Sequence, residues 1–223
     1  MTAPKYPKVF PPLESDPALF TTLLHNLGAR SALHFEDVFS LDDASSDTTL
    51  AYILIAPSSE DYEKELEAEE ERRIANLLEE ERRRAESVVW LPQRIHNACG
   101  FYALLHCVLN IPDASSLLSA DSFLARILSA PSLEAKRQIV ENDPALDEAY
   151  IPIALQGQTP VNEDWAWEPM NHYLAFATVE RRVWELNGGR KGAVDRGEGE
   201  LEEVIKKRIE GKGEACCLLR LVG

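Results

Sequence analysis

The stretch RIHNACGFYALLH, residues 94–106, sets a cysteine between a polar lead-in and a run of bulky apolar side chains. If Asn97 caps a helix that starts at Ala98, Cys99 lies in the first turn. There the unpaired N–H groups and the positive end of the helix dipole favour a negatively charged sulfur. Gly100 leaves the backbone open to close approach by another group. Cys107 sits mid-run among leucines and reads as an inert core thiol. Of the two, only Cys99 has the setting of a nucleophile.

A nucleophilic thiol needs a base, and the base needs an orienting acceptor. His25, His34 and His106 read most simply as structural or surface residues, and His96, three residues before Cys99, points off the incoming segment. His172 opens an apolar strand directly after a long irregular stretch, where a side chain can reach a cleft. HYLAFATV (172–179) and VWELN (183–187) form a hairpin. A loop centred on Glu180-Arg181 pairs residues whose numbers sum to 361, which puts Asn187 diagonally beside His172 on one side of the sheet. Asn187 can then accept a hydrogen bond from the ring, and Gly188-Gly189 let the chain leave the strand. Gln93, six residues before Cys99, can share an oxyanion with the Cys99 N–H, although a surface glutamine is the commoner reading of such a residue.

Other elements must hold these groups. Ser15 or Asp16 caps a helix with Pro17 in its first turn and Gly28 as its stop. TLAYILIAP is a β-leaning run ended by Pro57, VVWLP (88–92) is extended, and residues 98–109 form a helix buried on all sides. Helical patterns follow in SADSFLARILSA and SLEAKRQIVEND, residues 150–171 break periodicity, a charged helix covers 200–210, and ACCLLRLV is a last strand. Helices before and between β-runs, with one hairpin, imply an α+β domain with a largely antiparallel sheet.

At 223 residues, 45% hydrophobic and 27% charged, the chain is expected to be one soluble domain. No apolar run approaches the roughly 20 residues that span a bilayer, and the N-terminal residues lack the apolar centre of a signal peptide. The four cysteines show no C-x-x-C or H-x₃-H spacing, which argues for free thiols in a reducing compartment and against a metal site. A net charge of −15 opposes nucleic-acid binding and favours a basic partner. Residues 60–87 hold 12 acids and 6 bases and read as a solvated helix with a thin apolar stripe (Tyr62, Leu66, Ile74, Leu77, Leu78).

The run PQRIHNACGFYALLH resembles the nucleophile motif of the ubiquitin C-terminal hydrolase family, with Gln93, Cys99 and Gly100 at its glutamine, cysteine and glycine. PPLESDPALFTTLLHNLG, AYILIAP, QGQT and NHYLAF…VWELNGGRKGAVDRG are similar to further family segments, so the resemblance covers nearly the whole chain. It implies a papain-like thiol hydrolase fold with a knotted path and a crossover loop over the site at roughly residues 145–168. It also implies a cofactor-free enzyme, with Cys99, His172, Asn187 and Gln93 catalytic and with Pro12, Leu13, Glu14 and Gly157 gripping the substrate. The partner would be ubiquitin or a ubiquitin-like modifier, the protein a monomer, and its place the cytoplasm, with the nucleus also open. Asn187 stands where the family has aspartate, and it motivates the alternative of a catalytically weak ubiquitin-binding module. Asp195 is not assigned that role.

Overall fold

The computed structural model describes residues 6–42, 48–58, 60–160, 165, 171–210 and 216–223. The chain runs β1 (Lys8–Val9), α1 (Pro17–Asn26), β2 (His34–Asp37), β3 (Thr49–Pro57), α2 (Glu60–Ala75), α3 (Glu79–Ala85), β4 (Ile95–His96) and α4 (Cys99–Leu109). It continues through α5 (Phe123–Ser129), α6 (Leu133–Asn142), α7 (Pro144–Ala154), β5 (Asn171–Val179), β6 (Arg182–Leu186), β7 (Val194–Glu198), α8 (Leu201–Ile209) and β8 (Cys217–Val222). The expected α+β class is found. Six strands form one sheet in the order β2-β8-β3-β5-β6-β7, every pairing antiparallel.

The central strands read as unbroken apolar runs because both their faces are covered. Along β3, Ala51, Ile53 and Ile55 enter the main core with α1, α4, α5 and α7, while Tyr52, Leu54 and Ala56 join a smaller core under α8. All eleven residues of α4 are buried, as its composition requires. Asp16 caps α1, accepting from the Ala18 (2.7 Å) and Leu19 (3.3 Å) N–H groups. Gly28 follows at φ +108°, and a Cβ there would lie 2.1 Å from that of Ser122, so no other residue fits.

Three sequence expectations give way. The stretch expected as a crossover loop from 145 begins instead as α7: Asp143 caps it through the Ala145 N–H (3.0 Å), and Leu146, Tyr150 and Ile153 bury one stripe of it. Pro152 removes one backbone hydrogen bond near its end, which that packing tolerates. The acidic segment is two helices, interrupted at residues 76–78, and Ile74 and Leu78 of its supposed apolar stripe are exposed. Finally, VDRGE is an edge strand, β7, with no apolar alternation to betray it.

Candidate active site

The extended segment 88–94 belongs to no sheet, yet backbone groups of Val89, Leu91 and Arg94 are satisfied by one stripe of α4 and its C-cap. Asn110 accepts the Val89 N–H and donates to the Val89 carbonyl (both 2.8 Å), His106 Nε2 accepts the Leu91 N–H (2.9 Å), and the Tyr102 hydroxyl accepts the Arg94 N–H (3.1 Å). These residues stand at i, i+4 and i+8, which puts them on one helix face. Burial pushes His106 down to about 4, so it serves as a neutral ring. The polar spacing 102/106/110 in an apolar helix was the signal that sequence reading passed over.

This lacing fixes the approach to Cys99, the first residue of α4 and 8% exposed. Asn97 is not the cap. Its φ is +59°, and the helix starts from Ala98 with no side-chain cap, so the first-turn N–H groups have no capping acceptor. The Asn97 side chain is drawn away to the Trp165 carbonyl (2.7 Å), the one described residue between 161 and 170.

The histidine hairpin follows the counted register. Ala175 pairs with Leu186 and Val179 with Arg182, and the two-residue turn has Glu180 and Arg181 at φ +51° and +68°, the twist-matched hairpin geometry. His172 Nε2 lies 2.9 Å from Asn187 Oδ1, which also accepts the Gly189 N–H at 2.8 Å. Asn187 is 1% exposed, behind His172. Asp195 is occupied elsewhere, by Arg182 (2.8 Å) and Arg84 (3.3 Å).

Gln93 joins the two halves. Its N–H donates to the Gly188 carbonyl (2.8 Å), and its side-chain amide donates to the Ile95 carbonyl (3.1 Å) with one N–H left over. A Cβ on Gly188 would sit 3.0 Å from both Gln93 Cβ and N. Gln93, Cys99, His172, Gly188, Gly189 and Arg190 together line a cleft of about 540 Å³. No carboxylate is among its described lining residues.

The expected substrate-gripping residues divide. Leu13 is buried against Gly100, and its carbonyl accepts the Tyr173 hydroxyl (2.9 Å), while Tyr150 holds the Pro11 carbonyl (2.9 Å). Leu13 is therefore core, unavailable to a surface partner; Pro12 beside it is half-buried. Burial, with the Cys99 thiol nearby, pushes both phenols above their ordinary range, so they remain donors. The Glu14 carboxylate accepts the Gln158 N–H and packs on Gly157, joining the N-terminal segment to the stretch after α7.

Behind Asn187 lies a charged lattice. Arg190, its side chain 1% exposed, reaches Glu69 (2.7 Å), Glu70 (3.3 Å) and Glu185 (3.3 Å). Arg196 and Arg208 also meet Glu185, at 2.6 and 3.2 Å. Helix α2, expected as a merely solvated helix, is thus tied to the hairpin by ion pairs.

A family model described as "Ubiquitin carboxyl-terminal hydrolase, family 1" matches residues 10–212. The chain belongs to this family. It is accordingly a cysteine-type deubiquitinating hydrolase. A Drosophila melanogaster ubiquitin carboxyl-terminal hydrolase is 31% identical over 201 residues, covering 87% of this chain and 85% of that one. Arabidopsis thaliana ubiquitin carboxyl-terminal hydrolase 3 is 31% identical over 216 residues, covering 89% and 87%. The fold matches the Trichinella spiralis UCH37 catalytic domain bound to ubiquitin vinyl methyl ester, at TM-score 0.68 and 19% identity, covering 96% and 95% of the two chains.

Proposed function

We propose that this hydrolase cleaves small or unfolded adducts from the C-terminal glycine of ubiquitin through Cys99, His172 and Asn187. The Cys99 sulfur attacks the glycine carbonyl carbon while His172 holds the thiol proton. Gln93 and the Cys99 N–H donate to the tetrahedral oxyanion. Collapse expels the amine, protonated by His172, and leaves a thioester that water hydrolyses with His172 as base.

The observation that carries this reading is the His172–Asn187 hydrogen bond of 2.9 Å in the wall of the cleft that holds Cys99 and Gln93. In a serine triad, aspartate-to-asparagine replacement costs about 10⁴ in kcat because the ring takes the wrong tautomer. Here the Gly189 N–H, 2.8 Å from Asn187 Oδ1, holds the amide with its oxygen towards His172. The neutral ring then carries its proton on Nε2 and leaves Nδ1 to exchange with the sulfur. Asparagine is thereby made to act as an acceptor, the part aspartate would play.

Hydrolysis of a fluorogenic ubiquitin C-terminal amide tests the assignment. Wild type should turn over and Cys99→Ala should not. Asn187→Asp should match or exceed wild type, Asn187→Ala should lose about tenfold or more in kcat, and Gln93→Ala about 10². Tight ubiquitin binding with no turnover by wild type would instead identify a binding module. Full activity in Cys99→Ala would remove the nucleophile.

A further inference from the structure

We propose that Arg190 is a positioning residue for the His172–Asn187 pair, and that helix α2, through Glu69 and Glu70, is part of the support of the active site. The inference rests on that pair being catalytic. Asn187 is the residue after β6, and the next two residues are glycines with no side chains to fix them. The turn is therefore held at its two ends. At the first, the Asn187 carbonyl accepts the Trp90 indole N–H (3.0 Å) and the Arg190 backbone N–H (3.1 Å), while Asn187 Oδ1 takes the Gly189 N–H. At the second, the Arg190 side chain anchors the chain, with Nη2 to Glu69 at 2.7 Å and to Glu185 at 3.3 Å, and Nη1 to Glu70 at 3.3 Å. The Lys191 N–H adds one bond to Glu70 (3.0 Å). The Gly188 carbonyl between these ends also receives the Gln93 N–H. Displacement of the turn would thus move the acceptor of His172 and the backbone of Gln93 together.

The surrounding charges separate this role from simple stability. Every acid that Arg190 meets has a second cation: Arg196 on Glu69 (3.0 Å) and Glu185 (2.6 Å), Arg208 on Glu185 (3.2 Å), and Arg73 on Glu70 (2.8 Å). Replacing Arg190 leaves each carboxylate paired, so the domain keeps its lattice while the turn loses its side-chain anchor and keeps the single Lys191 bond.

The test is the rate of Cys99 alkylation by iodoacetamide from about pH 5 to about pH 9, followed by mass spectrometry of the Cys99 peptide. This readout needs no ubiquitin. Arg190→Gln should slow alkylation near neutral pH about five- to tenfold and shift the profile, with Arg190→Lys intermediate because it keeps the charge but loses the fork. In an Asn187→Ala background the same change should matter less than about twofold, since contacting residues are non-additive when one acts through the other. Equal losses in both backgrounds, or an unchanged Arg190→Gln profile, overturn the proposal. If Arg190→Gln does not fold, the pair Glu69→Gln with Glu70→Gln should slow alkylation in the same direction, and an unchanged profile there is equally fatal. An Asn187→Ala profile identical to wild type overturns the catalytic reading and this one with it; a changed Asn187→Ala profile beside an unchanged Arg190→Gln profile overturns only this one.

Discussion

Two polar regions flank the end of β6 and hold their elements by opposite means. On the side of the nucleophile, segment 88–94 is laced to α4 by a phenol, a neutral imidazole and a carboxamide. On the far side, α2 is tied to the β6–β7 hairpin by Glu69, Glu70, Glu185, Arg190 and Arg196. The neutral lacing puts no formal charge into the layer that carries Cys99, where buried charges act on one another strongly. The charged lattice serves a helix whose composition offers the hairpin almost nothing apolar. Asn187, one residue past β6, sits between the two regions and is itself neutral.

The largest effect should come from the lattice. Glu185 is fully buried and shared by three arginines, so Glu185→Ala should cost about 3–5 kcal/mol by removing the buried carboxylate that all three cations meet; urea unfolding measures it. A loss under about 1 kcal/mol would mean that the lattice is no stronger than surface pairs. Next comes the pH profile. The unfolded chain protonates His106 near its ordinary 6.5 and the folded one only near 4, so stability should fall as pH drops through that window, by on the order of 3 kcal/mol. His106→Gln should flatten it. Glu69 shifts in the same direction but in a lower window: burial raises it, yet Arg190 and Arg196 prevail and hold it at about 2, so its smaller contribution is lost only as pH falls from about 4.5 towards 2. A urea midpoint that is level between about pH 6.5 and pH 4.5 would contradict the neutral-side account. The smallest effect is Asn110→Ala, which unpairs both backbone groups of Val89 at about 2 kcal/mol, read from the same unfolding curves.

How much of this was legible in the sequence follows the range of the interactions involved. Signals local to a few residues held: the Asp16-Pro17 start, the buried β3 and α4 runs, and the register that sets Asn187 beside His172. Where a distant partner competes for a residue, local reading failed. Asn97 has a cap's chemistry, but Trp165 takes its side chain. Glu69 and Glu70 look like solvent-facing acids until Arg190, some 120 residues later, folds against them. Leu13 is expected from the resemblance to grip the substrate, yet two tyrosines from α7 and β5 pull its segment into the core. Each of these depends on a contact that no short window contains.

Gly188 bears on how the site was put together. The halves that handle the oxyanion and the proton come from segments almost a hundred residues apart, and at Gly188 their backbones meet so closely that a single methyl group would sit 3.0 Å from Gln93 and force a shift of a few tenths of an ångström. The gap between them is therefore set by a missing carbon: a larger residue at this one position would act as a wedge, parting Gln93 from the turn that carries Asn187 while leaving every reacting group chemically intact.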